Sequence, residues 1–332
     1  MSQPSFVRQK APLKGFVTSQ KAKHHAEILS NRVRNRFRHL SRRFRKAGID
    51  CFRLYDWDIP EVRAVIDWYA GHIVVAEYER LQTTKEWLPL MADAVAKTLS
   101  LEAERVHLKR RRTQTKQGPR YQRLNKKNKR FSVKERDLSF WVNLEDYLDT
   151  GLFSDHRHTR LIIQKLSRGH DFLNLFAYTG TFTCAAALGG AKSTVTVDRS
   201  QTYIHWAKDN LSLNGLSGPQ HTFVKSDTHR FLGRALRHKK RFTLAVIDPP
   251  SFFKDKKNQI AFDINRDHPR LIREVIKIMK PGSIVFFSTN HQRFEPKLDD
   301  LPVADLKELT PKTIPEDYRN RTIHRCWQMV TE

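Results

Sequence analysis

The feature that most constrains the fold is an alternation of short apolar runs with longer amphipathic segments between Asp171 and Pro250. Runs at Phe172 to Phe176, Ser193 to Val197 and Leu244 to Ile247 each end in a turn or an acidic residue, with helical patterns between them. A strand buried on both faces reads as an unbroken apolar run, so this rhythm predicts an α/β fold with a parallel, doubly wound sheet.

Ligands of such sheets bind just outside the carboxyl ends of the strands. The candidates there are Asn174 to Gly180, Asp198, Asp227 and Asp248. The turn NLFAYTGTF supplies Gly180 and small hydroxyl residues where a strand meets a helix N-terminus. Asp198, ending the next strand, can accept from both hydroxyls of a ribose, an arrangement that fits an adenosine cofactor. The turn lacks the G-x-G-x-x-G spacing that admits a pyrophosphate, and Tyr178 crowds that approach, which argues against a dinucleotide. Asp248-Pro249-Pro250-Ser251-Phe252 sets two fixed φ angles and an aromatic at the expected transfer site, an edge suited to a flat base.

The formal charge is +26, and its distribution is informative. Residues 1–50 carry 13 Lys and Arg against two acidic residues, and residues 105–136 carry 14 against one, so these two stretches hold nearly all of the excess. Concentrated blocks of one sign are the electrostatic footprint of a polyanion partner. No run approaches the length of a membrane span and no apolar signal core opens the chain, so a soluble, cytoplasmic protein with no membrane partner is expected. Cys51, Cys184 and Cys326 are widely separated, which indicates neither a disulfide framework nor a zinc site. His156 and His158 lack a completing pattern, so no metal is expected.

Four regions follow in order. Residues 1–48 read as a basic tail and an amphipathic helix from His24 to Lys46, with Leu29, Val33, Phe37, Leu40 and Phe44 on one stripe and arginines elsewhere. Residues 49–112 read as a small α+β domain: strands at Cys51 to Tyr55, Val62 to Tyr69 and His72 to Glu79, a turn at Ala70-Gly71, a helix from Thr84 to Leu99 and a strand from Arg105 to Lys109. Its aromatics Phe52, Tyr55, Trp57, Trp68 and Tyr69 read as core. Residues 113–143 read as a basic loop and hairpin linker, with Tyr121 as a possible base-stacking surface. Residues 144–332 carry the sheet, with a loop at 254–270, a helix from His268 to Met279, Lys280-Pro281-Gly282 closing that helix, and strands near Asp305 to Leu309 and Ile323 to Met329 completing seven. RNA contact is expected at Arg34, Arg38, Arg42, Arg45, Arg110, Arg111, Arg112, Lys116, Arg120, Lys126 and Lys127.

The set LYDWDIPEVRAVIDWYAGHIVVAEY, VNLEDYLDTGLFSDHR, NLFAYTGTF, VDRS, IDPPSF and RNRTIHRCW, in this order, resembles class I S-adenosylmethionine methyltransferases. It is most similar to the guanine-N7 methyltransferase (K) domain of the bacterial bifunctional large-subunit rRNA methyltransferases. The resemblance implies a Rossmann-like domain with a seven-stranded, mostly parallel sheet. It also implies S-adenosylmethionine as cofactor and ribosomal RNA or an assembling large ribosomal subunit as partner. Asn174, Phe176, Tyr178, Thr179 and Gly180 would frame the methionine part, Asp198 with Ser200 the ribose, and Asp227 the adenine amino group, although Asp227 reads equally as a helix N-cap. The segment from Thr150 to Arg157, including Asp155 and Arg157, resembles the family's element beside the cofactor. Asp248, Pro249, Pro250 and Phe252 would hold the base. The bifunctional members carry an RNA-binding module and a second methyltransferase domain ahead of this region, and the basic helix and loop are expected to take over RNA contact.

Two other functions fit the same residues. An exocyclic-amine RNA or DNA methyltransferase would use a similar Asp-Pro-Pro edge, and a catalytically idle RNA-binding ribosome-assembly factor could retain the fold. Cytosine C5 chemistry needs a cysteine nucleophile. DPPSF and FSTNHQ at the fourth and fifth strand ends contain none, and Cys184 lies past the cofactor turn.

Overall fold

The computed structural model describes residues 19–79, 83–112, 125–255 and 260–332. The first helix, α1 (Ser19–Lys46), starts five residues ahead of the expected His24. It buries Leu29, Val33, Leu40 and Phe44, the stripe legible in the sequence. Three antiparallel strands follow, β1 (Cys51–Asp56), β2 (Ala64–Tyr69) and β3 (His72–Glu79). Ala70 and Gly71 turn between β2 and β3 with positive φ of 44° and 95°, as a tight hairpin twisted like its strands requires. Helix α2 (Trp87–Leu99) then carries the chain over to β4 (Val106–Arg112), which pairs in parallel with β3.

Helices α1 and α2 cover one face of this small sheet, sharing a core that includes Leu29, Leu54, Ile66, Val75, Trp87 and Met91. Phe52, Tyr55 and Tyr69 are core residues as expected, and Trp68 is half-buried, but Trp57 is 40% exposed. The hairpin β5 (Phe131–Glu135) and β6 (Leu138–Val142) is no linker. Val133, Phe140 and Val142 form one cluster with Cys51 and Val74 of the small sheet and with Ala185 and Leu211 of the large domain, so the hairpin is a wedge between them. The alternation puts Val133, Leu138, Phe140 and Val142 on one buried face, and that face meets both domains.

The large domain begins with α3 (Arg157–Leu166). It continues through β7 (Asp171–Leu175), α4 (Thr181–Leu188), β8 (Ser193–Asp198), α5 (Gln201–Leu213), β9 (His221–Lys225), α6 (Thr228–Arg237) and β10 (Phe242–Ile247). After β11 (Phe252–Asp255), β12 (Ile260–Asp263) and α7 (Ile264–Ile276) come β13 (Met279–Thr289), β14 (Val303–Glu308), α8 (Thr310–Thr313) and β15 (Arg325–Thr331). The seven-stranded sheet has the order β14-β15-β13-β10-β7-β8-β9. Strands β9, β8, β7, β10 and β13 pair in parallel, and β15 runs antiparallel between β13 and β14. Neighbouring residues of one run face opposite sides. Leu173, Ala245 and Ile247 pack with α6 and α7, whereas Phe172, Leu244 and Val246 pack with α3 and α4.

Two expectations needed correction. Residues 254–270 are not one loop: β11 and β12 form a hairpin, and Asp263 caps α7 by accepting from the Asn265 N–H at 3.0 Å. Lys280-Pro281-Gly282 does not close a helix but lies inside β13, where a register irregularity between Phe242 and Leu244 of β10 absorbs it. The loop residues 113–124, with Lys116, Arg120 and Tyr121, lie outside the described residues.

A buried charge network joins the small domain to the large one. The Arg160 guanidinium holds both oxygens of Glu135 at 2.7 and 2.6 Å. Arg157 donates to Asp317 at 3.1 Å and to the Cys51 carbonyl at 2.8 Å, and its guanidinium lies 4.9 Å from the Phe44 ring centroid. Asp317 also accepts from the Arg53 N–H at 2.7 Å. Arg157 is therefore fully enclosed and committed to this joint, which corrects the expectation that it contacts the cofactor. Burial opposes the charge of Glu135, but Arg160 and Arg157 outweigh it and hold its carboxyl below the ordinary 4.5. Its contribution to stability is thus present above about pH 4.5 and is lost as pH falls through the depressed value. Glu135→Gln strands a buried guanidinium and is expected to cost about 3–5 kcal/mol near neutrality, with the difference from wild type shrinking in acid. Denaturant unfolding at several pH values measures both.

Candidate cofactor and base-binding site

The turn after β7 carries positive φ at three alternate positions, Phe176 (55°), Tyr178 (50°) and Gly180 (73°). Such angles are rare for bulky residues and persist only where the surroundings enforce them. Three contacts do so here. Ala177 N–H donates to the Val197 carbonyl at 3.0 Å, Gly180 N–H to the Ala177 carbonyl at 2.8 Å, and Tyr178 N–H to Asp198 Oδ2 at 2.9 Å. Gly180 must also lack a side chain, because a Cβ there would lie 2.6 Å from the Ala207 methyl on α5.

Asp198 thus spans two strand ends. Its Oδ2 takes the Tyr178 N–H and its Oδ1 takes the Ser200 N–H at 2.8 Å, which fixes the carboxylate plane and leaves each oxygen a further lone pair. Burial raises the Asp198 pKa, with the Ser200 and Tyr178 N–H groups opposing. Ser200 caps α5 through its hydroxyl, which accepts from the Tyr203 N–H. Asp227 is the N-cap of α6, its Oδ1 accepting from the Arg230 N–H at 3.2 Å while Oδ2 lies 3.9 Å from Arg199.

The segment expected beside this turn is tied to it. Gly151 N–H donates to the Tyr178 hydroxyl at 3.0 Å, and its carbonyl accepts from the Thr179 hydroxyl at 2.6 Å. Gly151 adopts φ of 100°, and a Cβ would lie 2.4 Å from the Trp206 ring. The sequence reading missed Trp206 and Asn210, whose amide donates to the Thr179 carbonyl at 2.8 Å. Only the spacing of α5 could have signalled them. Two further residues expected at the cofactor make protein contacts of their own. Asn174 is buried with its amide donating to Thr183 at 3.0 Å, and the Phe176 ring sits 6.2 Å from Phe262 of the β11–β12 hairpin.

At the end of β10, Asp248 Oδ1 accepts from the Ser288 hydroxyl at 2.6 Å and Oδ2 lies 3.6 Å from His156 Nε2. Pro249 is buried, Pro250 half-buried, and Phe252 is 44% exposed at the start of β11. Beneath Asp248, His156 stacks on His324 at 4.3 Å, and His324 bonds Asp155 and Thr313, each at 3.0 Å. Burial lowers the pKa of His156, against the pull of Asp248 and Asp155. Burial also works against Asp155, but His156 and the His324 hydrogen bond hold its carboxyl well below the usual range. Asp155, His156 and His324 offer donor atoms within 4.8 Å of one another, yet both His324 nitrogens are already engaged. The cluster is built as hydrogen-bonded support. Asp155, expected at the cofactor, is a member of this cluster.

The basic residues divide into two groups. On α1, Arg32 pairs with Asp58 at 2.6 Å and Arg43 with Glu316 at 3.0 Å. Arg34, Arg38, Arg42 and Arg45 are exposed along a cleft of about 430 Å³ between α1 and the end of α2, with no acidic partner among the described residues. Elsewhere, Arg110 pairs with Glu77 at 3.0 Å, Arg111 with Asp149 at 3.5 Å and Lys127 with Glu145 at 2.6 Å, so these three are not free charges. Lys126 is exposed.

The strand order, the turn and the carboxylate at the second strand end together define a nucleotide-type methyltransferase crevice. Residues 56–304 match the model of the S-adenosylmethionine-dependent methyltransferase family, and the chain belongs to that family. A curated relative, ribosomal RNA large subunit methyltransferase K/L of Aeromonas salmonicida strain A449, is 43% identical over 311 residues. That alignment covers 91% of this chain and 43% of the relative, so the chain spans less than half of its length. The crystal structure of a methyltransferase complexed with SAH matches 97% of this chain and 83% of its own, with a TM-score of 0.73 at 20% identity. A methyltransferase from Streptococcus mutans matches equally broadly at 0.72 and 19%. Those two likenesses are of fold.

The cofactor is S-adenosylmethionine. The donor set fits it, because a carboxylate with a free lone pair on each oxygen matches two vicinal hydroxyls. Cys184 is fully buried on α4 with its thiol pushed up to about 12 by burial, far from the thiolate a covalent mechanism requires. Cys184→Ala is expected to leave methyl transfer within about twofold of wild type, since the change is a small one; a folded, cofactor-binding variant without transfer would restore the cysteine as nucleophile.

Proposed function

We propose that the chain transfers the methyl group of S-adenosylmethionine to N7 of a guanine in large-subunit ribosomal RNA. The observation that carries the reading is the Asp248 carboxylate, held by the Ser288 hydroxyl with His156 Nε2 3.6 Å away, beside the exposed Phe252 and ahead of the two prolines. A carboxylate only accepts, and the amine edge of guanine offers only donors, N1–H and the exocyclic amine. With that edge held by Asp248, N7 on the opposite edge is the nucleophile turned away from it. N7 carries an in-plane lone pair and no proton, so no general base is required and alignment provides most of the acceleration. Phe252 stacks on the base.

S-adenosylmethionine supplies an electrophilic methyl group when bound. In this reading Asp198, with Ser200 fixing its orientation, binds the ribose hydroxyls. Tyr178, Thr179 and Gly180 frame the methionine part, and Asp227 meets the adenine amine through Oδ2, which lies 3.9 Å from Arg199, while its Oδ1 caps α6. The RNA backbone follows the α1 face of Arg34, Arg38, Arg42 and Arg45. The 43% identity to an rRNA methyltransferase supports an rRNA substrate.

Labelled methyl transfer to unmodified large-subunit rRNA, with nucleoside digestion and mass spectrometry, tests the reading. It is expected to give 7-methylguanosine, lost in Asp198→Ala. An N2-methyl product would instead favour exocyclic-amine chemistry, and absence of both transfer and cofactor binding would favour an idle RNA-binding factor. Asp198 must be ionised to accept from both hydroxyls, and its pKa lies above the ordinary 3.8. Cofactor affinity should therefore be full above that raised value and weaken as pH falls through it. Titration calorimetry across about pH 4 to 8 checks this; an Asp198→Asn variant is expected to bind more weakly and with a flat profile.

A further inference from the structure

Trp57 combines a strained backbone with an open ring. Its φ is 52°, a left-handed angle that is an outlier for a bulky side chain, yet its ring is 40% exposed. The backbone is fixed from both sides. Trp57 N–H donates to the Ala64 carbonyl at 3.2 Å, and Arg319 donates to the Trp57 carbonyl at 2.6 Å. Both neighbours are pinned as well: Asp56 accepts from the Arg319 and Asn320 N–H groups at 3.0 and 2.9 Å, and Asp58 pairs with Arg32 of α1. The ring is oriented by the Tyr78 ring, edge-on at 5.7 Å and 82°, and by the Arg63 guanidinium, 5.7 Å from its centroid. An aromatic ring already immobilised, partly open to solvent and flanked by the exposed cations Arg63 and Arg319 is organised for a flat, anionic partner.

We propose that Trp57 is a stacking platform for an unpaired nucleobase of the RNA substrate, with Arg63 and Arg319 meeting the adjoining phosphates. The inference rests on the reading of RNA as substrate and assigns to the small domain a specific contact with its single-stranded part. The platform is tied to α1 through the Asp58–Arg32 pair, on the flank of the helix away from Arg34, Arg38, Arg42 and Arg45. Stacking tolerates any base, so the platform adds affinity for unpaired RNA without reading its sequence.

The test is binding of a fluorescein-labelled single-stranded 12-mer RNA, and of a blunt duplex of the same length, to the full chain. S-adenosylmethionine affinity serves as the control for folding. Trp57→Ala is expected to weaken single-strand binding roughly tenfold, Trp57→Phe less, with duplex binding unchanged. The dependence on salt should stay as in wild type, because no phosphate contact is removed. Trp57→Asn, which tolerates the left-handed angle, is expected to weaken binding as much as alanine while raising Tm, the signature of a residue kept at a cost to stability. Single-strand affinity equal to wild type in Trp57→Ala, or equal losses for both RNAs, overturns the platform alone. A wild-type chain that binds neither RNA overturns the RNA reading and the platform with it.

Discussion

The enclosed guanidinium groups of Arg157 and Arg160 constrain the rest of the molecule. Neither charge can be left alone in an apolar interior, so Glu135 from the hairpin and Asp317 from the segment before β15 must both be in place. That requirement fixes the hairpin against α3 and, through the Cys51 carbonyl and the Arg53 N–H, fixes the small sheet against both. Domain orientation is set by charges that tolerate only one arrangement, whereas apolar contact alone would allow several.

The same joint positions the crevice. Residues 154–156 lead directly into Arg157, so anchoring α3 also anchors His156 under Asp248. Gly151, a few residues earlier, is clamped between the Tyr178–Thr179 turn and Trp206. The two halves of the site, the Asp198 carboxylate and the Asp-Pro-Pro edge, are thus referenced to one rigid element instead of to two separate loops. A transfer reaction whose acceptor needs no proton removed depends chiefly on such alignment.

Much of this was legible in the sequence because it rests on short-range chemistry. The runs ending in Phe176, Val197 and Ile247 show β-strands buried on two sides, and the i, i+4 stripe from Leu29 to Phe44 shows the docked face of α1. The motif strings carried the family. Pairing between distant residues was not legible. Arg157 could not be read as a structural charge, because its partner Asp317 is 160 residues away. Asp155 likewise answers to His324, 169 residues on. The wedge role of residues 131–142 was hidden because the hairpin's one apolar face meets residues distant in sequence on both sides, Cys51 and Val74 before it and Ala185 and Leu211 after it, and Trp57 read as core because spacing alone does not reveal a positive φ.

The joint also has a consequence for biosynthesis. Domains form as the chain is made, N-terminal parts first. The Arg36 side chain and the Arg53 N–H reach Asp317 across separations of 281 and 264 residues, so their acceptors are translated long after α1 and β1. Until Asp317 arrives, Arg157 has only Glu135 as counter-charge, and the small domain is held to the large one by half of its ion network. Throughout that interval the nascent chain is a loosely hinged pair of bodies with an uncompensated cation at the hinge. The final orientation of the basic helix over the catalytic domain is sealed by one of the last segments of this sequence to be synthesised.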